Sequence, residues 1–323
     1  MKVAHLVLSN TFAEVEYYID ELLSYKHNDK LLLICNDSIA DYFNKSISIY
    51  KIKNLERISF YGKYKLKKLL NKINPDIVHT HGSKTSSIIS SINNNQFKHV
   101  ATVHGIKKNK KIYEKADFVI GVSQKTIVGL KNNIAVVTNW WNPSLNKFDH
   151  KKSEYALAVG KLEKEKGFDL LINSWANINT KLIIIGSGKE KNTLIKMINA
   201  KGLNEKITIM DNVQENELIK YFRNAKLLII SSRDEGGPRI ALEALYLEIP
   251  VLSTDVGHMS NILPKELLAN TNDLVSLQTL LEKYVDKIDT INQDAVYEFI
   301  TKDFSIDEKI SEIRDIYKSL LIS

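Results

Sequence analysis

The sequence predicts an α/β protein of two doubly wound parallel sheets, and three observations carry that prediction. The chain has 323 residues, enough for two domains at a soft average of about 150 residues each. Short, wholly apolar runs alternate with longer stretches of helical period, the rhythm of a parallel sheet covered on both faces. The rhythm stops in a polar, turn-rich segment, 142–153, and then starts again. Composition agrees, since 44% hydrophobic and 26% charged residues describe an ordinary globular chain and exclude a disordered one. The single cysteine, Cys35, excludes an internal disulfide framework and a cysteine-cluster metal site; within the run Leu31–Cys35 it reads as a small core residue.

The elements follow in order. Residues 2–8 read as a buried strand. One lysine, no small-residue cleavage site and an acidic helical pattern directly after it argue against a signal peptide. No apolar run approaches the ~20 residues of a membrane span, so a cytoplasmic chain is expected. Residues 13–25 form a helical pattern striped by Val15, Tyr18, Ile19, Leu22 and Leu23. A second strand covers 30–35. A basic helix runs from Lys63 to Ile73, Pro75 ends it, and Asp76–His79 opens the next strand. Val100–His104 and Phe118–Val122 are further strands. Past the linker, strands are expected at 155–159, 181–185, 207–210, 227–231 and 251–253, with helical patterns at 167–176, 189–201, 215–224 and 238–247 and a last helix near 305–321. These place a first Rossmann-like domain at 1–148 and a second at 149–304, with a terminal helix, 305–323, packing back toward the first. Open parallel sheets bind ligands beyond the carboxyl ends of their strands, so a cleft between the two domains is the expected active site.

The stretch Ser231-Ser-Arg-Asp-Glu-Gly-Gly-Pro-Arg-Ile-Ala-Leu-Glu243 carries the most chemistry. A strand ends, a Gly236-Gly237 turn follows, and Pro238 suits the first turn of a helix. The amides of Arg239, Ile240 and Ala241 at the helix start make a generic anion site. An isolated Glu-x7-Glu pair reads as a solvated loop carboxylate, Glu235, and a helix-surface charge, Glu243. The glycine turn and a matching upstream element reverse that reading. The upstream element, Val159-Gly-Lys161-Leu-Glu-Lys-Glu-Lys166-Gly167, leaves the first strand of the second domain, and Lys161 and Lys166 suit a diphosphate as point charges. Gly186-Ser187-Gly188 is a third, weaker strand-to-helix turn.

These motifs, with Asp76-Ile-Val-His-Thr-His81, Thr102-Val-His104-Gly105 and Asp117–Ser123, give the chain a resemblance to the retaining glycosyltransferases of family 4, of the GT-B fold, over nearly its whole length. The resemblance implies a nucleotide-sugar donor, a UDP-sugar before a GDP-sugar, on the C-terminal domain and an acceptor on the N-terminal one. It implies that Glu243 holds the ribose hydroxyls. Lys161, Lys166, Gly237 and the amides of Arg239, Ile240 and Ala241 are expected around the diphosphate, and Asn212 and Val213 at the base. Glu235 and His104 are the expected catalytic pair, at the reacting sugar and near its C6 oxygen. Asn10, Thr11 and Phe12 are expected on the acceptor side. Two ammonium groups and a helix start stabilise the charge that develops on a leaving phosphate. With no Asp-x-Asp motif in the chain, no metal and no resident cofactor are expected. His79 and His81 alternate on a strand without an evident third ligand and read as packing or hydrogen-bonding residues before metal ligands. The family pattern is broken where Lys161 replaces Arg, where Ser9–Glu14 lacks glycine, at Asn139–Pro143 with its adjacent Trp140 and Trp141, and at Gly257–Asn261.

The charge is lopsided. Residues 1–150 carry 22 Lys+Arg and 12 Asp+Glu, while 151–323 carry 23 and 26. Lys63–Ile73 reads either as a core helix with a solvated lysine face or as a helix for anionic lipid, its stripe made by Leu66, Leu69, Leu70 and Ile73. A second basic cluster spans Lys107–Lys111. Together they predict a peripheral enzyme at the inner membrane face, acting on a lipid-linked or otherwise anionic glycan, and the resemblance implies a place in bacterial cell-surface polysaccharide assembly such as lipopolysaccharide, capsule or O-antigen. No nucleic-acid module is evident. Two rival readings stand beside it: a nucleotide-sugar epimerase of the same fold, and a non-catalytic binder of an anionic polymer.

Overall fold

Every strand pair among the described residues is parallel. The computed structural model describes residues 1–25, 28–131, 133–148 and 154–322, without the side chains of 215 and 216. The chain divides into Met1–Asn139 with Lys309–Ser323, and Trp140–Glu308. The expected boundary after residue 148 therefore falls inside the second unit, and the end of the expected linker, 149–153, lies outside the described residues.

The first unit is a seven-stranded sheet of order β3-β2-β1-β4-β5-β6-β7. Its strands are β1 (Lys2–Val7), β2 (Lys30–Asn36), β3 (Ile49–Ile52), β4 (Ile77–His81), β5 (Lys98–Val103), β6 (Phe118–Gly121) and β7 (Ile134–Val136), with helices α1 (Glu14–Ser24), α2 (Phe60–Ile73), α3 (Ser83–Ile92) and α4 (Gln124–Ile127). On one face Ala4, Leu6, Leu32, Ile34 and Val78 pack against Leu66, Leu70 and Ile73 of α2 and Ile88 and Ile89 of α3. Burying each such side chain is worth about 1.5–3 kcal/mol. Strand side chains alternate between faces, so His5, between Ala4 and Leu6, points to the other one. Helix α1 lies there with Tyr18, and so does the end of the chain's final helix with Tyr317.

The second unit is a six-stranded sheet of order β10-β9-β8-β11-β12-β13. The strands are β8 (Tyr155–Val159), β9 (Lys181–Ile185), β10 (Ile207–Met210), β11 (Ala225–Ile230), β12 (Val251–Thr254) and β13 (Leu268–Ala269). Helices α5 (Phe168–Asn173), α6 (Lys191–Ala200), α7 (Glu215–Asn224), α8 (Arg239–Tyr246), α9 (Met259–Ile262), α10 (Leu274–Tyr284) and α11 (Asp294–Asp303) cover it. The last helix, α12 (Ile306–Ile322), starts in this unit and passes into the first from Lys309. Among the described residues no helix is long and apolar enough to cross a membrane.

Of the two readings of the α2 stripe, the packing bears out the core helix and removes the lipid-facing one. Leu66, Leu70 and Ile73 are 1%, 2% and 3% exposed and belong to the core, so α2 cannot offer them to a bilayer without unpacking the sheet. Trp140 is likewise buried, and Trp141 stacks on Tyr246 with ring centroids 3.8 Å apart.

Candidate active site

Chain direction puts the second unit's motifs at one end of its sheet. β8 connects to β9 on one side, and β11 lies on its other side, so the strand order reverses between β8 and β11. Ligands of doubly wound sheets bind at that reversal, beyond the carboxyl ends. The loop after β8 carries Lys161 and Lys166, and the loop after β11 carries Glu235, Gly237 and the start of α8.

Glycines let these loops touch. A Cβ on Gly186 would sit 1.9 Å from the Gly160 carbonyl oxygen, and one on Gly188 would sit 2.4 Å from the Leu162 carbonyl oxygen. Gly167, at φ +64°, would place a Cβ 2.1 Å from the Ser231 carbonyl oxygen. Ser231 Oγ donates to the Lys166 carbonyl at 2.9 Å, and the Arg233 amide donates to the Glu165 carbonyl at 2.7 Å. Arg233 also forks onto both carboxylate oxygens of Asp169, at 2.6 and 2.7 Å. Burial pushes the Asp169 carboxyl up, but the guanidinium outweighs it and holds the group below its usual value. Arg233, which sequence reasoning passed over, therefore ties the two loops together.

The catalytic and phosphate candidates meet inside this frame. Lys166 Nζ is hydrogen-bonded to Glu235 Oε1, and Ser232 Oγ donates to the same oxygen at 2.9 Å. The Lys166 and Glu235 side chains are 20% and 13% exposed, so Glu235 is a held carboxylate and not a solvated loop charge. Arg239 Nε lies 3.3 Å from Glu243 Oε1, one helical turn on. Lys161 is exposed. Of the three amides expected for an anion, that of Ala241 donates to the Pro238 carbonyl at 3.2 Å and is engaged within the turn. Asn212 is exposed in the turn after β10, while Val213 packs on the core. Gly257, at φ +53°, lies against Gly236 and Gly237, where a Cβ would stand 2.8 Å from the Gly237 Cα.

The first unit holds the other candidates, again past carboxyl ends of strands. Asn10 Oδ1 accepts from Asn36 Nδ2 at 3.0 Å and Asn54 Nδ2 at 2.6 Å. Phe12 packs edge-on against Tyr17 and Phe43, and Thr11 is exposed. The loop is thus braced by side chains where the family pattern uses glycines. His104, half-buried after β5, faces Tyr18 edge-on at 4.9 Å. Burial, with Lys107 nearby, pushes its imidazole down to about 3.

His104 is the outer member of a buried cluster that local pattern could not reveal. β1 pairs with β4 in a register that sets His5 beside His79, and His81 follows on the same face. His5, His79 and His81 are all within 3% exposure, and their ligand-capable atoms lie within 4.8 Å of one another. The expectation that His79 and His81 lack a third partner is overturned: His5 supplies it from a strand more than 70 positions away. His79 is bonded to Tyr317 through Nδ1 and to Thr102 Oγ1 through Nε2, the latter at 2.6 Å.

Comparison with known proteins accords with this arrangement. The family model described as glycosyl transferases group 1 matches residues 144–295, and that described as glycosyl transferase 4-like matches 9–123. The chain is 23% identical to the UDP-Gal:alpha-D-GlcNAc-diphosphoundecaprenol alpha-1,3-galactosyltransferase of Escherichia coli, over all of this chain and 98% of that one. Its fold is similar to that of the lipopolysaccharide outer core galactosyltransferase WaaB, with a TM-score of 0.80 at 19% identity over 99% of each chain. It is also similar to Anabaena HepE, solved with UDP and glucose, with a TM-score of 0.83 at 14% identity over 99% of this chain and all of that one. Matched in both halves by these families, and folded as two Rossmann-like domains, the chain belongs to the group 1, family 4-like glycosyltransferases of the GT-B fold.

Proposed function

We infer that the protein moves a sugar, with retention of anomeric configuration and without a divalent metal, from a UDP-sugar to a glycan or lipid-linked acceptor in cell-surface polysaccharide assembly. The observation that carries this reading is the Lys166–Glu235 pair at the strand-order reversal, flanked by exposed Lys161 and the start of α8. Breaking the bond to a nucleoside diphosphate builds negative charge on the phosphate and positive charge on the sugar. Lysines and a helix start answer the first, and Glu235 answers the second. The UDP named for HepE and for the E. coli relative, and the galactosyl transfer named for two relatives, support the choice of donor class.

A peripheral membrane position rests on a different surface from the one the sequence pointed to. Ile58, Phe60, Tyr61 and Tyr64, at or before the start of α2, are 83%, 89%, 69% and 66% exposed. Lys63, Lys65, Lys67 and Lys68 share that helix, and Lys65 Nζ lies 4.4 Å from the Tyr61 ring centre. Aromatic side chains among lysines suit the interface of an anionic bilayer.

The test is a thermal-shift screen of UDP-, GDP- and ADP-sugars, followed by nucleotide release with and without a lipid-linked acceptor. Stabilisation by UDP-sugars and acceptor-dependent release are expected, and the release is lost in Glu235→Ala. Acceptor-independent rearrangement of the donor would establish the epimerase reading. Polymer binding untouched by Glu235→Ala, with no nucleotide effect, would establish the binder.

A further inference from the structure

The imidazoles of β1, β4 and the end of β5 meet nitrogen to nitrogen. His5 Nδ1 lies 3.0 Å from His81 Nε2, and His81 Nδ1 lies 3.0 Å from His104 Nε2. Two ring nitrogens at that distance share one proton. With none, two lone pairs face each other; with two, the hydrogens collide. A neutral imidazole carries a single N–H. If His81 holds its proton on Nδ1, it donates to His104 Nε2, and the other gap has to be filled from His5 Nδ1. His104 then carries its proton on Nδ1. If His81 holds it on Nε2, His5 Nδ1 accepts, His104 donates from Nε2, and His104 Nδ1 is bare. The three rings have only these two neutral arrangements, all protonated on Nδ1 or all on Nε2. A cationic His81 would fill both gaps, but burial and its histidine neighbours hold that ring neutral, well below the usual imidazole range.

We propose that His81 and His5 are positioning residues that set the tautomer of His104, and so decide whether its Nδ1 presents a donor or an acceptor to a hydroxyl of the sugar substrate. The clause about substrate rests on the functional reading above; the coupling of the three rings does not. A metal centre built on His5, His79 and His81 fits the contacts less well. Both nitrogens of His79 are held by Tyr317 and Thr102, both of His81 by His5 and His104, and an ion would have to displace them.

The test uses the full chain labelled with 15N at its histidines, of which there are eight. Long-range proton–nitrogen spectra at pH 7 report which nitrogen of each ring bears hydrogen. His5, His81 and His104 are expected in one common tautomer. In His5→Phe, which keeps a ring in the cavity, the His104 nitrogen resonances are expected to shift although the substitution does not touch His104. Mixed tautomers among the three wild-type rings, or a cationic ring, overturn the proposal, and this arm needs no variant to fold. A melting temperature close to wild type with unmoved His104 resonances in His5→Phe also overturns it. Titration with UDP-sugar separates the two parts: a common tautomer with His104 unaffected by saturating donor and acceptor keeps the coupling and removes the substrate contact. Zinc added alone is expected to leave the His5 and His81 resonances in place; stoichiometric shifts of both would replace the relay with a metal site.

Discussion

Glu235 and Lys166 neutralise each other across two loops, and on the function proposed above a diphosphate competes with the carboxylate for that ammonium. Removing the carboxylate therefore acts on two steps. Glu235→Ala is expected to lower kcat by about 10²–10³, the usual cost of losing one preorganised electrostatic group, while UDP alone still stabilises the fold. Lys166→Ala is expected to weaken UDP stabilisation itself, and the double variant to be less impaired than the product of the two because the partners couple. Acceptor-dependent nucleotide release and thermal shift check both. The histidines make a separate prediction. Burial lowers His99 to about 4, despite Asp117 opposing it, and His104 to about 3, and it places His79 and His81 well below their usual value. Unfolding restores ordinary imidazoles, so below about pH 6.5 the unfolded chain binds more protons than the folded one. Stability is then full at pH 7 and falls toward pH 4, each such histidine contributing up to about 1.4 kcal/mol per pH unit; urea unfolding at pH 7 and pH 5 measures it. Lys166, Glu235 and His104 can be singled out as candidates in the sequence because their glycine and strand contexts are local. Their partners are not, since Arg233–Asp169 and His5–His81 depend on loop contact and strand register.

The elements whose sequence signal is a short apolar run come out where the pattern puts them, as at β8, β9 and β10. The edge strands β3 and β7 escape it because half-exposed Ile49–Ile52 and Ile134–Val136 lack a buried run. Helix α10, striped by Leu277, Leu280 and Leu281, follows a polar turn that reads as loop. Between elements, glycine governs whether the loops approach. Gly186→Ala sets a Cβ against backbone and is expected to cost about 1–3 kcal/mol and to weaken UDP binding. Gly202→Ala, at φ +66° with no atom within 4 Å, pays only the left-handed conformation, about 1–2 kcal/mol, and leaves UDP binding unchanged. Calorimetry with and without UDP distinguishes them. On α2, replacing Phe60 and Tyr61 by serine is expected to leave the melting temperature unchanged, since both are exposed, and to abolish sedimentation with anionic liposomes. Equal sedimentation of wild type and variant would remove the membrane face.

At the scale of the whole molecule the chain is discontinuous: the first unit is completed by residues that follow the second. Arg314 on α12 pairs with Asp29 at 2.7 Å, and Tyr317 holds His79. Tyr317→Phe is expected to cost about 1–3 kcal/mol by leaving a buried ring nitrogen unpaired. A chain stopped after Glu308 is expected to expose Tyr18 and Leu22 on the first unit and to be cleaved there by a protease while the second unit resists; limited proteolysis reads this directly.

That return of α12 also orders events during synthesis. Domains ordinarily fold as they leave the ribosome, the earlier one first. Here the earlier sheet waits, with one face of its imidazole-bearing strands open, through translation of the entire second unit. The first unit to be made is therefore the last to close, and a nascent chain can hold a folded second unit before the first is complete.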